Sequence, residues 1–195
     1  MARDRKAGDR TFGRALRSEA VTVTWEEFLH LPERPESGKR YELQDGEVIV
    51  VPPARPLHIK LQKRIERLME AAAGDRGGIA TEFPYRPAQN LQYWFADVAY
   101  IPQSDWEALP PDEYPIYAPP LIVEVLSPSN TPAKVNRQRI VALSAGAEEF
   151  WVVDAEKRTI QITDRGGSKV YSCGDAIPLR LFGEASIFVD EIFGV

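Results

Sequence analysis

The chain has 195 residues, 44% of them hydrophobic, which suits one domain or two small ones. No run of about 18 apolar residues occurs, and the start lacks an apolar signal block; with a single cysteine, Cys173, this excludes an internal disulfide and leads to the expectation of a reducing cytoplasm. The formal net charge of −5 argues against strong, non-specific DNA binding, and two histidines, His30 and His58, cannot build a histidine-rich zinc cage, so any metal is expected on oxygen ligands, as Mg²⁺, Mn²⁺ or Ca²⁺.

Residues 1–20 are polar and aperiodic, with six basic side chains against three acidic, so this segment carries +3 and the remainder −8. They read as a disordered arm, a solvated tail rather than an arm on nucleic acid. Residues 21–195 read as one domain. Thr24 and Glu27 have capping-box spacing ahead of a short helix, Trp25 to Leu31. Pro35, Ser37 and Gly38 make a loop. Tyr41-Glu42-Leu43 and Val48 to Val51 flank Asp45-Gly46, a hairpin signal, and Pro52 and Pro53 end the second strand. His58 to Ala73 reads as an amphipathic helix with Leu61, Ile65, Leu68 and Ala72 on one face, stopped by Gly74, Gly77 and Gly78.

Strands are expected at 79–85 and 93–101, then a proline-rich loop over 102–120, of a length often tied to function. Leu121 to Leu126 reads as a buried central strand. A turn leads into a helix over Ala133 to Ala145, closed by Gly146, and Phe150 to Asp154 is another buried strand. Thr159–Thr163 and Lys169–Ser172 pair across Gly166-Gly167. The tail from Ala176 alternates weakly and reads as edge structure.

Two positions break the apolar pattern. Glu124 lies inside Leu121 to Leu126, and Asp97 has apolar neighbours on both sides. A charge there costs several kcal/mol unless it is paired, protonated or metal-bound. A divalent cation between the two would offset their repulsion; buried acids bonded to arginine or backbone donors are the other reading.

The order of helix, strand, Asp97 strand, Glu124 strand, helix and strand resembles the core of the PD-(D/E)xK nuclease superfamily. More narrowly, the chain resembles the Uma2 (DUF820-like) family of restriction endonucleases. The resemblance rests on Tyr41 to Glu47, on His58 opening a helix, on Ala96-Asp97-Val98, on Pro120 to Ser129 and on Gly146 to Asp154. It implies a restriction-endonuclease-like α/β core, a central mixed β-sheet flanked by helices, with an added N-terminal hairpin and C-terminal strands. It also implies Mg²⁺ (or Mn²⁺) held by Asp97 and Glu124 for phosphodiester hydrolysis in DNA. Glu42 either completes the acidic cluster or is a surface hairpin residue.

The chain departs from the motif. Ala96 replaces its proline. Leu126 stands two places after Glu124, where the motif lysine belongs, and Gln138 stands where related sequences supply that lysine from the following helix. Glutamine brings hydrogen bonds but no charge. Lys134 lies one turn earlier on the same face and could supply the cation. Arg137 and Arg139 are expected to meet solvent or DNA. His58 reads as a locally bonded helix-start residue, with a proton shuttle as the alternative. Trp94, Trp106 and Trp151 read as packing residues and Cys173 as inert. The alternative to a nuclease is a catalytically weak or inactive module on the same fold that binds nucleic acid or a protein partner. A homodimer is expected if both strands of a duplex are cut, with Trp106 to Tyr117 a candidate contact.

Overall fold

The computed structural model describes residues 22–31, 39–128 and 130–195. The basic arm, the loop at Pro35 to Gly38 and Ser129 lie outside them. Helix α1 (Trp25–Phe28) is capped as its spacing predicts: the Thr24 hydroxyl accepts from the Glu27 amide, and the Glu27 carboxylate accepts from the Thr24 amide. Strands β1 (Arg40–Gln44) and β2 (Glu47–Val51) form the hairpin. Both turn residues have positive φ, 52° at Asp45 and 80° at Gly46. A Cβ on Gly46 would stand 2.3 Å from Thr22 Cγ2, so this turn needs glycine twice over.

Helix α2 (Pro56–Ala73) starts two residues earlier than expected, because Pro56 sits in the first turn, where its missing N–H has no partner to lose. Its buried face is Leu61, Gln62, Ile65, Met69 and Ala73, while Leu68 and Ala72 are only partly buried. Gly74 opens a tight turn (Gly74–Arg76), but Gly77 and Gly78 belong to strand β3 (Gly77–Tyr85) rather than to a helix stop. Gly78 is there for closeness: a Cβ would stand 2.5 Å from the Trp106 ring. Strand β4 (Gln92–Pro102) follows, and the expected long loop after it holds a short helix, α3 (Gln103–Glu107). Then come β5 (Leu121–Val125), α4 (Pro132–Ser144), β6 (Glu149–Asp154), β7 (Thr159–Asp164) and β8 (Gly167–Ser172).

The main sheet runs β2-β1-β4-β5-β6-β7-β8, with β3 also on β4. Its pairs are antiparallel except β5 with β6, which are parallel and joined by the α4 crossover. The expected mixed sheet flanked by helices is therefore the observed architecture. On one face α2 packs Leu61, Ile65 and Met69 against Val98, Val123 and Trp151; on the other, α4 places Ala142 near Ile122 and Phe150.

The tail is not an edge of this sheet. Strands β9 (Ala176–Pro178) and β10 (Ser186–Phe188) pair with each other, and α5 (Val189–Phe193) follows. Ile177, Leu179, Phe182, Ile187, Val189 and Ile192 are buried in the same cluster as α2. Arg64 of α2 donates to the Ile192 carbonyl at 3.0 Å.

Strand alternation breaks once along β4, at Asp97. Trp94 and Ala96 before it share a cluster with Ala99 and Ile101 after it, although strict alternation would put them on opposite faces. Glu82, the residue in register with Asp97 on β3, has φ 55°, and neither is part of the ladder that continues on both sides. A left-handed residue in one strand turns the face of the pair there.

Candidate active site

Asp97 and Glu124 lie where two strands part. β4 and β5 pair through Val98↔Val123, Ala99↔Ile122 and Tyr100↔Leu121, and the next position in register, Asp97 with Glu124, is unpaired. The Val125 amide beyond the fork is taken by a side chain: it donates to Asp97 Oδ2 at 2.7 Å. Glu124 remains in the parallel ladder with β6, opposite Val152. Both acids are buried, Asp97 5% and Glu124 8% exposed. Both line a cleft of about 550 Å³ shared with Arg40, Glu42, His58, Glu82, Lys134 and Gln138.

Helix α2 lines this cleft with His58, and Gln62, one turn on, bonds to its acids from behind that lining. His58 Nε2 lies 3.0 Å from Asp97 Oδ1, so the histidine reaches across to β4 rather than bonding locally. Gln62 donates to Asp97 Oδ1 at 3.1 Å and to the Glu82 carboxylate. A ring nitrogen of His58 and one carboxylate oxygen each of Glu82 and Asp97 fall within 4.8 Å of one another. The hairpin brings Glu42, which is 4% exposed; it is a cleft residue and not a surface one. Arg40 Nη2 and Lys134 Nζ each stand 3.9 Å from a different oxygen of Glu42. Arg40 also pairs with Glu82 and lies over the Phe95 ring, 4.5 Å from its centroid.

Helix α4 is pinned at its start by the Thr131 hydroxyl, which accepts from the Lys134 amide. Lys134 and Gln138 then share the cleft face. Lys134 Nζ makes no hydrogen bond among the described residues. Gln138 is 4% exposed and its Oε1 is buried without a hydrogen-bond partner among the described residues. Leu126 lines the cleft and packs against the α4-side core, as a hydrocarbon must. Arg137 is exposed, as expected, and also makes a two-point contact with Asp45, Nη2 to Oδ1 at 2.5 Å and Nε to Oδ2 at 3.1 Å, tying α4 to the hairpin turn. Arg139 bonds Thr163 and Asn136. Trp94 and Trp151 are core residues, bonded through their indole N–H to Leu43 O and Glu149. Trp106 is 39% exposed, with its ring against Gly78.

Burial, and then the Asp97 and Glu42 carboxylates, hold the Glu124 carboxyl well above its ordinary range, while Arg40 and Lys134 pull it back. Burial also raises Glu42, opposed first by Lys134 and Arg40. Buried carboxylates packed this closely are a site for a hard cation, and the donor set of carboxylates plus the buried amide oxygen of Gln138 fits a divalent one.

A model of the Uma2 family, described as "Putative restriction endonuclease", matches residues 25–183. The chain belongs to the Uma2 family. The fold is similar to that of a crystal structure from Anabaena variabilis described as a putative nuclease belonging to DUF820: the TM-score is 0.75 at 19% identity, over 88% of this chain and 98% of that one. No curated protein matches. The acids at the fork were legible in sequence because they interrupt apolar strands. Glu82, Gln62 and Arg40 were not singled out. Gln62 had a signal, as a polar residue beside Leu61 on the buried side of α2. Glu82 had none, since a lone glutamate in a strand reads as solvent-facing.

Proposed function

We propose that this chain hydrolyses phosphodiester bonds in DNA with Mg²⁺ or Mn²⁺, and that Asp97 and Glu124 hold the ion. The observation that carries this reading is the fork: two buried carboxylates at the first register position where β4 and β5 cease to pair, with the Glu124 carboxyl raised by burial and by its acidic neighbours. A divalent cation there would supply a Lewis acid for an attacking water and for charge developing on the phosphoryl group.

The chain's own groups do the rest. The Val125 amide and Gln62 fix the Asp97 carboxylate in place. Glu42, between Arg40 and Lys134, extends the acidic wall and keeps both cations at the cleft mouth. Lys134, with its ammonium group free of hydrogen bonds among the described residues, takes the part of the missing motif lysine and meets a phosphate oxygen. Gln138 orients water through its buried amide. A homodimer would set two such clefts on the two strands of a duplex.

The alternative, a nucleic-acid-binding or protein-binding module without catalysis, draws on Leu126, which leaves the motif's own position without a cation. Incubating plasmid with the protein and Mg²⁺ or Mn²⁺, with and without chelator, separates the two. Cleavage that stops with chelator and with Asp97→Ala/Glu124→Ala supports the nuclease. Binding that ignores chelator, with no cleavage, sinks it.

A further inference from the structure

Asp97 has a second side. Glu124 lies across the fork on β5, while His58 and Glu82 approach Asp97 from α2 and β3, with ligand atoms of all three within 4.8 Å of one another. Gln62, itself 4% exposed, bridges Glu82 and Asp97 and so holds the two carboxylates side by side. Among the described residues, four polar atoms of this cleft are buried without a hydrogen-bond partner, Arg40 Nε, His58 Nδ1, Glu82 Oε2 (which is ion-paired to Arg40) and Gln138 Oε1, and Gln138 is more than nine-tenths buried. Buried polar groups are nearly always satisfied, so unpartnered ones lining a cleft point to something that binds there.

We infer that His58, Glu82 and Asp97 form a second divalent-cation position, with Asp97 shared between it and the Asp97–Glu124 position. This rests on the proposed metal-dependent reading of the cleft and deepens it. It also departs from the expectation of oxygen ligands alone. An imidazole nitrogen among carboxylates shifts preference from Mg²⁺ towards Mn²⁺ and Zn²⁺. The two positions therefore differ in selectivity: the Glu124 side accepts Mg²⁺, and the His58 side favours Mn²⁺. Arg40, which pairs with Glu82, is the group an ion at the His58 side would displace.

The test uses Mn²⁺ and the untagged full chain. Calorimetry counts the ions, and pulsed electron paramagnetic resonance reads ¹⁴N coupling from a bound imidazole. Wild type should hold two Mn²⁺ with ¹⁴N coupling. His58→Gln should hold one without it, and Glu124→Gln should hold one that keeps it. His30→Asn, which removes the other histidine, should leave the coupling unchanged. The wild-type spectrum does not depend on any variant folding. Mn²⁺ held without ¹⁴N coupling and lost in Glu124→Gln would overturn this inference and leave the proposed reaction standing. No Mn²⁺ binding at millimolar concentration would overturn both.

Discussion

Replacing Glu124 by glutamine should make the metal-free protein more stable at pH 8 and leave it nearly unchanged at pH 5. The Glu124 carboxyl is held above its ordinary value by burial and by Asp97 and Glu42. The folded state therefore binds a proton that the unfolded state has released, in the window from the ordinary carboxylate value up to the raised one. Stability falls as pH rises through that window and is low above it. Each tenfold change in acidity is worth about 1.4 kcal/mol. Glutamine keeps the shape, removes the charge and offers its amide N–H groups to the neighbouring carboxylates. Relieving an uncompensated buried group is worth about 1–3 kcal/mol. For a chain of this length, about 2 kcal/mol is about 4–8 °C in Tm. Wild type should recover the deficit with Mn²⁺, by about 2.7 kcal/mol at 100 times Kd, and the variant should recover less. Thermal melts at pH 5 and pH 8, with and without Mn²⁺, give all the numbers. A variant less stable than wild type at pH 8 without metal, or a difference equal at both pH values, would refute the reasoning.

Lys134→Ala should lower plasmid cleavage by about 10²-fold, the scale for removing one transition-state charge partner, with Mn²⁺ affinity unchanged or improved; parallel cleavage and calorimetry check it. Trp151→Phe should cost about 1–3 kcal/mol in urea melts, because the buried Glu149 carboxylate loses its 2.8 Å bond from the indole N–H. Ile187→Asp should prevent stable folding, since Ile187 is buried in the cluster that seats α2; a folded, cooperative variant would show that the tail is dispensable. Gly46→Ala should destabilise by more than about 1 kcal/mol, through both its positive φ and the contact with Thr22.

The sheet and its two crossover-side strands were readable because Leu121 to Val125 and Phe150 to Asp154 are apolar runs too short to be helices. Asp97 and Glu124 were readable because each breaks such a run. Other parts carried no local signal. The turning of β3 and β4 at Glu82 and Asp97 depends on one backbone angle that glutamate does not advertise. The tail hides its burial because Ile177, Phe182, Ile187 and Ile192 are spread over two three-residue strands, a tight turn and a short helix, with no period long enough to read. The start of α2 at Pro56 was missed because His58 drew the boundary to itself. Lys134 and Gln138 were placed on one face by spacing alone, and both line the cleft.

The docking of α5 on α2 has a consequence for the order of events during synthesis. Chains emerge from the N-terminus onward, so all the acids of the cleft, with His58 and Gln62, leave the ribosome well before Ile187, Val189 and Ile192. Until those residues arrive, α2 packs on the sheet without its tail contacts, and Arg64 lacks the Ile192 carbonyl that it holds in the finished fold. The chemistry is made first and its support last, so a chain stalled short of residue 190 carries Glu42, Glu82, Asp97 and Glu124 on its strands while the helix that brings His58 and Gln62 still lacks its contact with the tail.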